Sequence, residues 1–172
     1  MNFQYNKNII LNILDKKPNL GKTAIMKIIF MLQQVKKMNL KYDFEIYTYG
    51  PYSSEVTEDV ESLIQNQLVD SSMYLYNNYV GYRLSISENG RSALSVLDES
   101  DENKINEILY FVEGKTAKDL ELYSTIIYVN NLYVKNSWVE QDVISNVHEI
   151  KPHFSYVKIS DAYHKLKKEN YI

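Results

Sequence analysis

The segment AIMKIIFMLQQVKK, residues 24–37, constrains the fold of this chain more than any other. Ile25, Ile28, Ile29, Leu32 and Val35 recur at helical spacing, but Met26, Phe30 and Met31 fill the opposite side. A helix apolar nearly all round has to be covered on more than one face, so this one belongs inside a core. Lys27 is its odd residue: its stem either carries the ammonium to the surface, or the charge meets an ion-pair partner or ligand.

The rest of the chain supplies what can cover that helix. Ile9, Ile10, Ile13 and Leu14 mark an amphipathic helix over residues 3–16, which Pro18 ends. DFEIYTY, residues 43–49, alternates as a short strand. In GPYSS, residues 50–54, Gly50 precedes a proline and is pushed to an extended backbone. Pro51 presets the first turn of a helix over 53–67, and Ser53 or Ser54 caps it. Val56, Val60, Leu63, Ile64 and Leu68 form the apolar stripe of that helix. LVDSSMYLY and YVGYRLSIS, joined by Asn77-Asn78, read as a hairpin with a two-residue turn. Ser87 caps a further helix, ENGRSALSVL.

This order predicts an α+β, mostly α chain: a winged helix-turn-helix over 1–97, whose last hairpin is the wing. The acidic break DESDENK, residues 98–104, opens a C-terminal helical extension, 98–172, packed on the first domain. There Ile105, Ile108, Leu109 and Val112 form a stripe ending at Gly114. Thr116 and Asp119 have capping-box spacing before a long helix. Val139, Val143, Ile144 and Val147 mark another helix, and Ser160 caps the last, with Ala162, Tyr163 and Leu166 facing inward.

Residues Gly21, Thr23 and Lys27, followed by Tyr49, Gly50, Pro51 and Tyr52, resemble the pattern of the YwgA-like winged-helix proteins of bacteria and archaea. More distantly the chain is similar to the Panacea antitoxin domain. Ile25 or Met26 stands where that pattern usually has Leu, and the likeness covers roughly residues 1–95. The resemblance implies a winged helix and a protein-binding role of the antitoxin or adaptor kind.

Chemistry narrows the choice. The chain has no cysteine, so disulfides and thiolate metal sites are excluded and a reducing cytoplasm is the expected compartment. No apolar run is long enough for a bilayer. His148, His153 and His164 are the histidines, and HEIKPH spans a proline break without metal-ligand spacing. No phosphate loop, nucleophile elbow or dinucleotide fingerprint occurs. Non-catalytic recognition without a cofactor is therefore expected. The first reading is a protein-binding module contacting its partner through Lys27, Tyr47, Tyr49, Tyr52 and the acidic helix face of Glu55, Glu58, Asp59 and Glu61. The second is a dimeric DNA-binding regulator using Lys16, Lys17, Lys22, Lys36, Lys37 and Arg83. Net charge is −3, and residues 1–95 carry ten basic against nine acidic side chains. Carboxylates on the helix that would enter the groove oppose phosphate binding, so the DNA reading is disfavoured.

Overall fold

A computed structural model describes residues 2–76, 79–134 and 139–172. In chain order the elements are α1 (Asn2–Lys16), β1 (Leu20–Gly21), α2 (Lys22–Gln34), β2 (Glu45–Tyr47), β3 (Gly50–Tyr52), α3 (Ser54–Gln65) and β4 (Val69–Tyr76). There follow β5 (Tyr79–Ile86), α4 (Glu88–Ala93), α5 (Glu99–Val112), α6 (Ala117–Val134), α7 (Glu140–Ile150) and α8 (Tyr156–Lys168). The class is α+β and mostly helical. Contacts divide the chain into two compact units. One holds the residues up to Phe44 with Ser53–Glu113, and the other holds Glu45–Tyr52 with Gly114–Ile172.

The first unit is built round α2. Every residue from Ile25 to Leu32 is buried, as an all-round apolar helix requires. Helices α3 and α5 and strands β1 and β5 pack against it. Lys27 is only 2% exposed, so its stem does not carry the ammonium to solvent. Helix α1 contributes Ile9, Ile10, Ile13 and Leu14, all fully buried.

The acidic stretch 98–104 does not leave this unit. Asp98 Oδ1 accepts from the Asp101 amide at 2.8 Å, and Glu99, Asp101 and Glu102 occupy the first turn of α5, where the helix dipole favours negative charge. Within α5, Phe111 takes an inward position and Leu109 is only half-buried.

The sheet of the first unit has the order β1-β5-β4, antiparallel throughout, with Leu20 opposite Leu84 and Val69 opposite Ile86. Two residues are too few to show alternation, so β1 leaves no signature in the sequence. The Asn77-Asn78 turn lies outside the described residues. At the root of the β4–β5 hairpin Val69, Leu84 and Ile86 are buried, whereas Met73, Leu75, Val80 and Tyr82 on the same face are 46–75% exposed. Ser87 caps α4 by accepting from the Gly90 amide at 2.9 Å. That helix stops at Ala93, short of the expected Leu97.

The second unit packs α6, α7 and α8 against one another. Thr116 and Asp119 form the expected reciprocal cap: the Asp119 amide donates to Thr116 Oγ1 at 3.2 Å, and Asp119 Oδ2 accepts from the Thr116 amide at 3.0 Å. Ala162, Tyr163 and Leu166 are buried as expected. Ser160, however, lies inside α8. The cap is Ser155, whose hydroxyl accepts from the Lys158 amide at 3.3 Å.

The larger correction concerns residues 50–54. Gly50 and Pro51 do not lead into a helix; they form the return strand β3, paired antiparallel with β2, with Tyr47 opposite Gly50 and Ile46 opposite Pro51. Gly50 has φ 87°, not an extended backbone, because the chain reverses through Thr48 and Tyr49 and the glycine closes the turn. Helix α3 starts only at Ser54, and Ser53, its N-cap, makes no side-chain capping bond.

Candidate functional site

The site with the most chemistry lies in the second unit, where the β2–β3 hairpin meets α6 and the end of α7. Strand β3 packs on α6, with Gly50 against the helix. A Cβ on Gly50 would lie 3.0 Å from Thr125 Oγ1 and 3.2 Å from Ser124 Oγ. Thr125 and Ser124 turn their hydroxyls back to the Glu121 carbonyl, at 2.7 and 3.2 Å, so the helix presents a small, self-satisfied surface to the glycine.

The turn itself is held by a buried cation. Lys151, the C-cap residue of α7, donates through Nζ to the Tyr47 carbonyl at 3.0 Å and to the Thr48 carbonyl. The same ammonium lies 3.1 Å from Glu121 Oε1. Both side chains are nearly excluded from solvent, at 5% and 8% exposure. Burial of a charged pair is costly unless its partners are well placed, and here two turn carbonyls accept from the ammonium while the carboxylate balances its charge. The 3.1 Å contact is an ion pair, and Glu121 Oε1 is a buried acceptor without a hydrogen bond. His153 Nε2 stands 3.5 Å from this oxygen, on a side chain that is 49% exposed.

Beside the turn opens a pocket of about 640 Å³. Ile46 and Ile150 give it apolar walls, Tyr47 and Tyr49 flank it, and Lys118, Glu121 and His153 supply its charged and polar groups. Tyr47 and Tyr49 are 63% and 65% exposed. The half-buried Tyr52 ring lies 5.7 Å from that of Tyr47.

The structure therefore brings together Tyr47, Tyr49 and Tyr52 from the expected contact set in the second unit, and the others belong to the first. Glu55 and Glu58 are exposed on α3, where Glu55 accepts from the Asp43 amide at 2.8 Å. Asp59 is not on that face: it is 4% exposed and accepts from the Tyr42 hydroxyl at 2.7 Å. Burial pushes its carboxyl above the ordinary range, although the Tyr42 hydrogen bond opposes this. Glu61 is paired with Lys22. Among the expected basic residues, Lys16 pairs with Glu102 and Lys36 with Glu107, so three of those six cations already face a carboxylate. Lys17 is half-buried, Lys37 is exposed, and Arg83 lies over the Tyr74 ring at 4.6 Å.

Glu121, Lys151 and Lys118 were not expected at a site. Glu121 had a legible signal: it sits between Leu120 and Leu122 in a helix buried on several sides, as Lys27 does in α2. The histidines are dispersed. His148 Nδ1 donates to the Phe154 carbonyl at 2.8 Å, and His164 Nε2 is 2.7 Å from Glu140. Among the described residues no group of three or more His, Asp or Glu side chains is placed to hold a metal, and no helix is long and apolar enough to cross a membrane.

No family model matches the sequence. Comparison with curated proteins finds an uncharacterized protein, YwgA, of Bacillus subtilis (strain 168). It is 32% identical over 117 residues, which cover 66% of this chain and 67% of the relative. On that identity and coverage, the chain belongs to the YwgA-like family.

Proposed function

We propose that this protein acts by non-catalytic recognition of another protein, with the β2–β3 hairpin as its contact surface. The observation that carries this reading is the exposure of Tyr47 and Tyr49, 63% and 65%, on a turn whose Tyr47 and Thr48 carbonyls are fixed by Lys151. Large aromatics already held in place lose little entropy on binding and are the usual anchors of protein interfaces. The acidic helix contributes less than its sequence suggests, because Asp59 is internal and Glu61 is paired.

A winged-helix reading of the first unit fits this role. The succession α1-β1-α2-α3-β4-β5 with sheet order β1-β5-β4 supports it, the β4–β5 hairpin being the wing. Groove reading by α3 is opposed by Glu55 and Glu58 on its exposed side. An antitoxin or adaptor role extends this reading and rests on the sequence resemblance alone.

The test is a paired pull-down from the native host with wild type and a Tyr47→Ser/Tyr49→Ser variant, alongside retention on duplex DNA at low salt. A partner recovered by wild type and lost from the variant is the expected result. Equal recovery by both removes the hairpin from the contact surface, and tight retention on DNA favours a nucleic-acid regulator instead.

A further inference from the structure

The pocket beside the hairpin has a charge pattern that selects its occupant. Glu121 and Lys151 neutralise each other at its base, 3.1 Å apart. What remains at the rim is Lys118, an exposed ammonium that no hydrogen bond or ion pair occupies among the described residues, and the half-exposed His153. A cationic ligand would meet Lys118 without gaining a free carboxylate, whereas an anionic one finds an uncompensated positive charge. Independently, Glu121 Oε1 is an acceptor without a hydrogen bond on a residue only 6% exposed, and Glu121 lines the pocket. Its charge is balanced by Lys151, 3.1 Å away, and its lone pairs leave room for a further N–H or O–H donor. The walls ask for apolar or planar groups: Ile46, Ile150 and the two tyrosine rings.

We propose that this pocket binds an acidic peptide segment of a partner protein. A carboxylate of the peptide pairs with Lys118, a backbone N–H satisfies Glu121 Oε1 by displacing the His153 ring that stands 3.5 Å from it, and the chain runs across Tyr47 and Tyr49. One ligand thus carries both an anion and neutral donors, which an isolated carboxylate or a basic peptide does not. The proposal rests on the hairpin being a protein-contact surface and specifies which chemistry it contacts.

The experiment is selection from a random dodecapeptide library on the immobilised full chain, followed by affinity measurement of a selected peptide on variants. Selected peptides should carry an excess of Asp and Glu over the naive library. Lys118→Glu should weaken binding about tenfold or more and flatten its salt dependence, since like charge at a rim is repulsive and acts on association. Lys118→Gln should fall between, and the exposed position lets both variants keep the wild-type melting curve. Peptides without an acidic excess, or affinities indifferent to charge reversal at Lys118, overturn the proposal. If such peptides still depend on Tyr47 and Tyr49, the hairpin reading survives and the acidic specificity does not. If the library yields nothing beyond what Tyr47→Ser/Tyr49→Ser retains, both readings fail.

Discussion

Asp59 in the first unit and Glu121 in the second are carboxylates of nearly equal burial, 4% and 6% exposed, with opposite surroundings. Asp59 meets a neutral donor, the hydroxyl of Tyr42, which is itself 5% exposed. Burial raises the Asp59 carboxyl, and burial together with the neighbouring carboxyl raises the Tyr42 phenol, so each favours its protonated form. Glu121 meets a cation instead, and that cation also holds the backbone of a turn bearing two exposed tyrosines. The first arrangement closes a core. The second fixes a display surface and leaves one acceptor without a hydrogen bond beside a pocket.

The largest expected effect comes from breaking the charged arrangement. Lys151→Met leaves Glu121 buried without its cation and two turn carbonyls without their donor, and should destabilise the protein by about 3–5 kcal/mol. Adding Glu121→Gln should recover part of that loss, because the uncompensated charge is gone. Urea unfolding of the two variants measures both, and a single-variant loss below about 1 kcal/mol would mean that solvent reaches the pair.

Gly50→Val attacks the same turn through its backbone. It forces φ 87° on a β-branched residue and sets a Cβ 3.0 Å from Thr125 Oγ1. About 1–3 kcal/mol should be lost, and the Tyr47–Tyr49 surface with it; an unchanged midpoint would show that the turn relaxes freely. In the first unit Tyr42→Phe removes the hydroxyl that donates to Asp59, with a smaller cost of about 1–2 kcal/mol by the same measurement. A loss as large as that of Lys151→Met would erase the distinction between the two carboxylates.

How much of this was legible in the sequence varies with the range of the interaction that decides it. The all-round burial of α2 could be read because Met26, Phe30 and Met31 break any single stripe. The β4–β5 alternation and the Ser87 and Thr116–Asp119 caps were legible too, since each is decided within a few residues. The GPY return strand was not. Thr48-Tyr49 carries no turn residue, and Gly-Pro before serines reads equally well as a helix start. Its conformation is settled by pairing with β2 and packing on α6. Ser155 and Ser160 are both acceptable caps locally, and sequence spacing does not choose between them. Asp59 was misplaced although it occupies the i+3 position of the stripe Val56, Val60 and Leu63. Its charge argued for the surface, and the donor that makes burial tolerable, Tyr42, comes from another segment. The Lys151–Glu121 pair joins α6 to the end of α7 and needed the fold to be seen.

The subtlest comparison is by pH, between Asp59 and Asp119, whose carboxyls shift in opposite directions. Asp59 lies above the ordinary value of 3.8 in the native protein, chiefly through burial. Between that value and its raised native pKa the folded state holds more protons than the unfolded one, so its contribution is greatest at low pH and is lost as pH rises through the native pKa. Asp119 lies below 3.8, chiefly through its side-chain hydrogen bond with Thr116. Its contribution is present above 3.8 and is lost as pH falls through the depressed native pKa. Replacing each by Asn removes the titration while retaining an amide oxygen as acceptor. The stability of Asp59→Asn relative to wild type should therefore rise with increasing pH just above 3.8, whereas that of Asp119→Asn should fall with increasing pH just below it. Urea midpoints across the acid range read these slopes, and any constant offset from the amide itself drops out of the comparison. Parallel slopes would show that Asp59 is as well solvated as Asp119, and the closed core of the first unit would then be open to water at Tyr42.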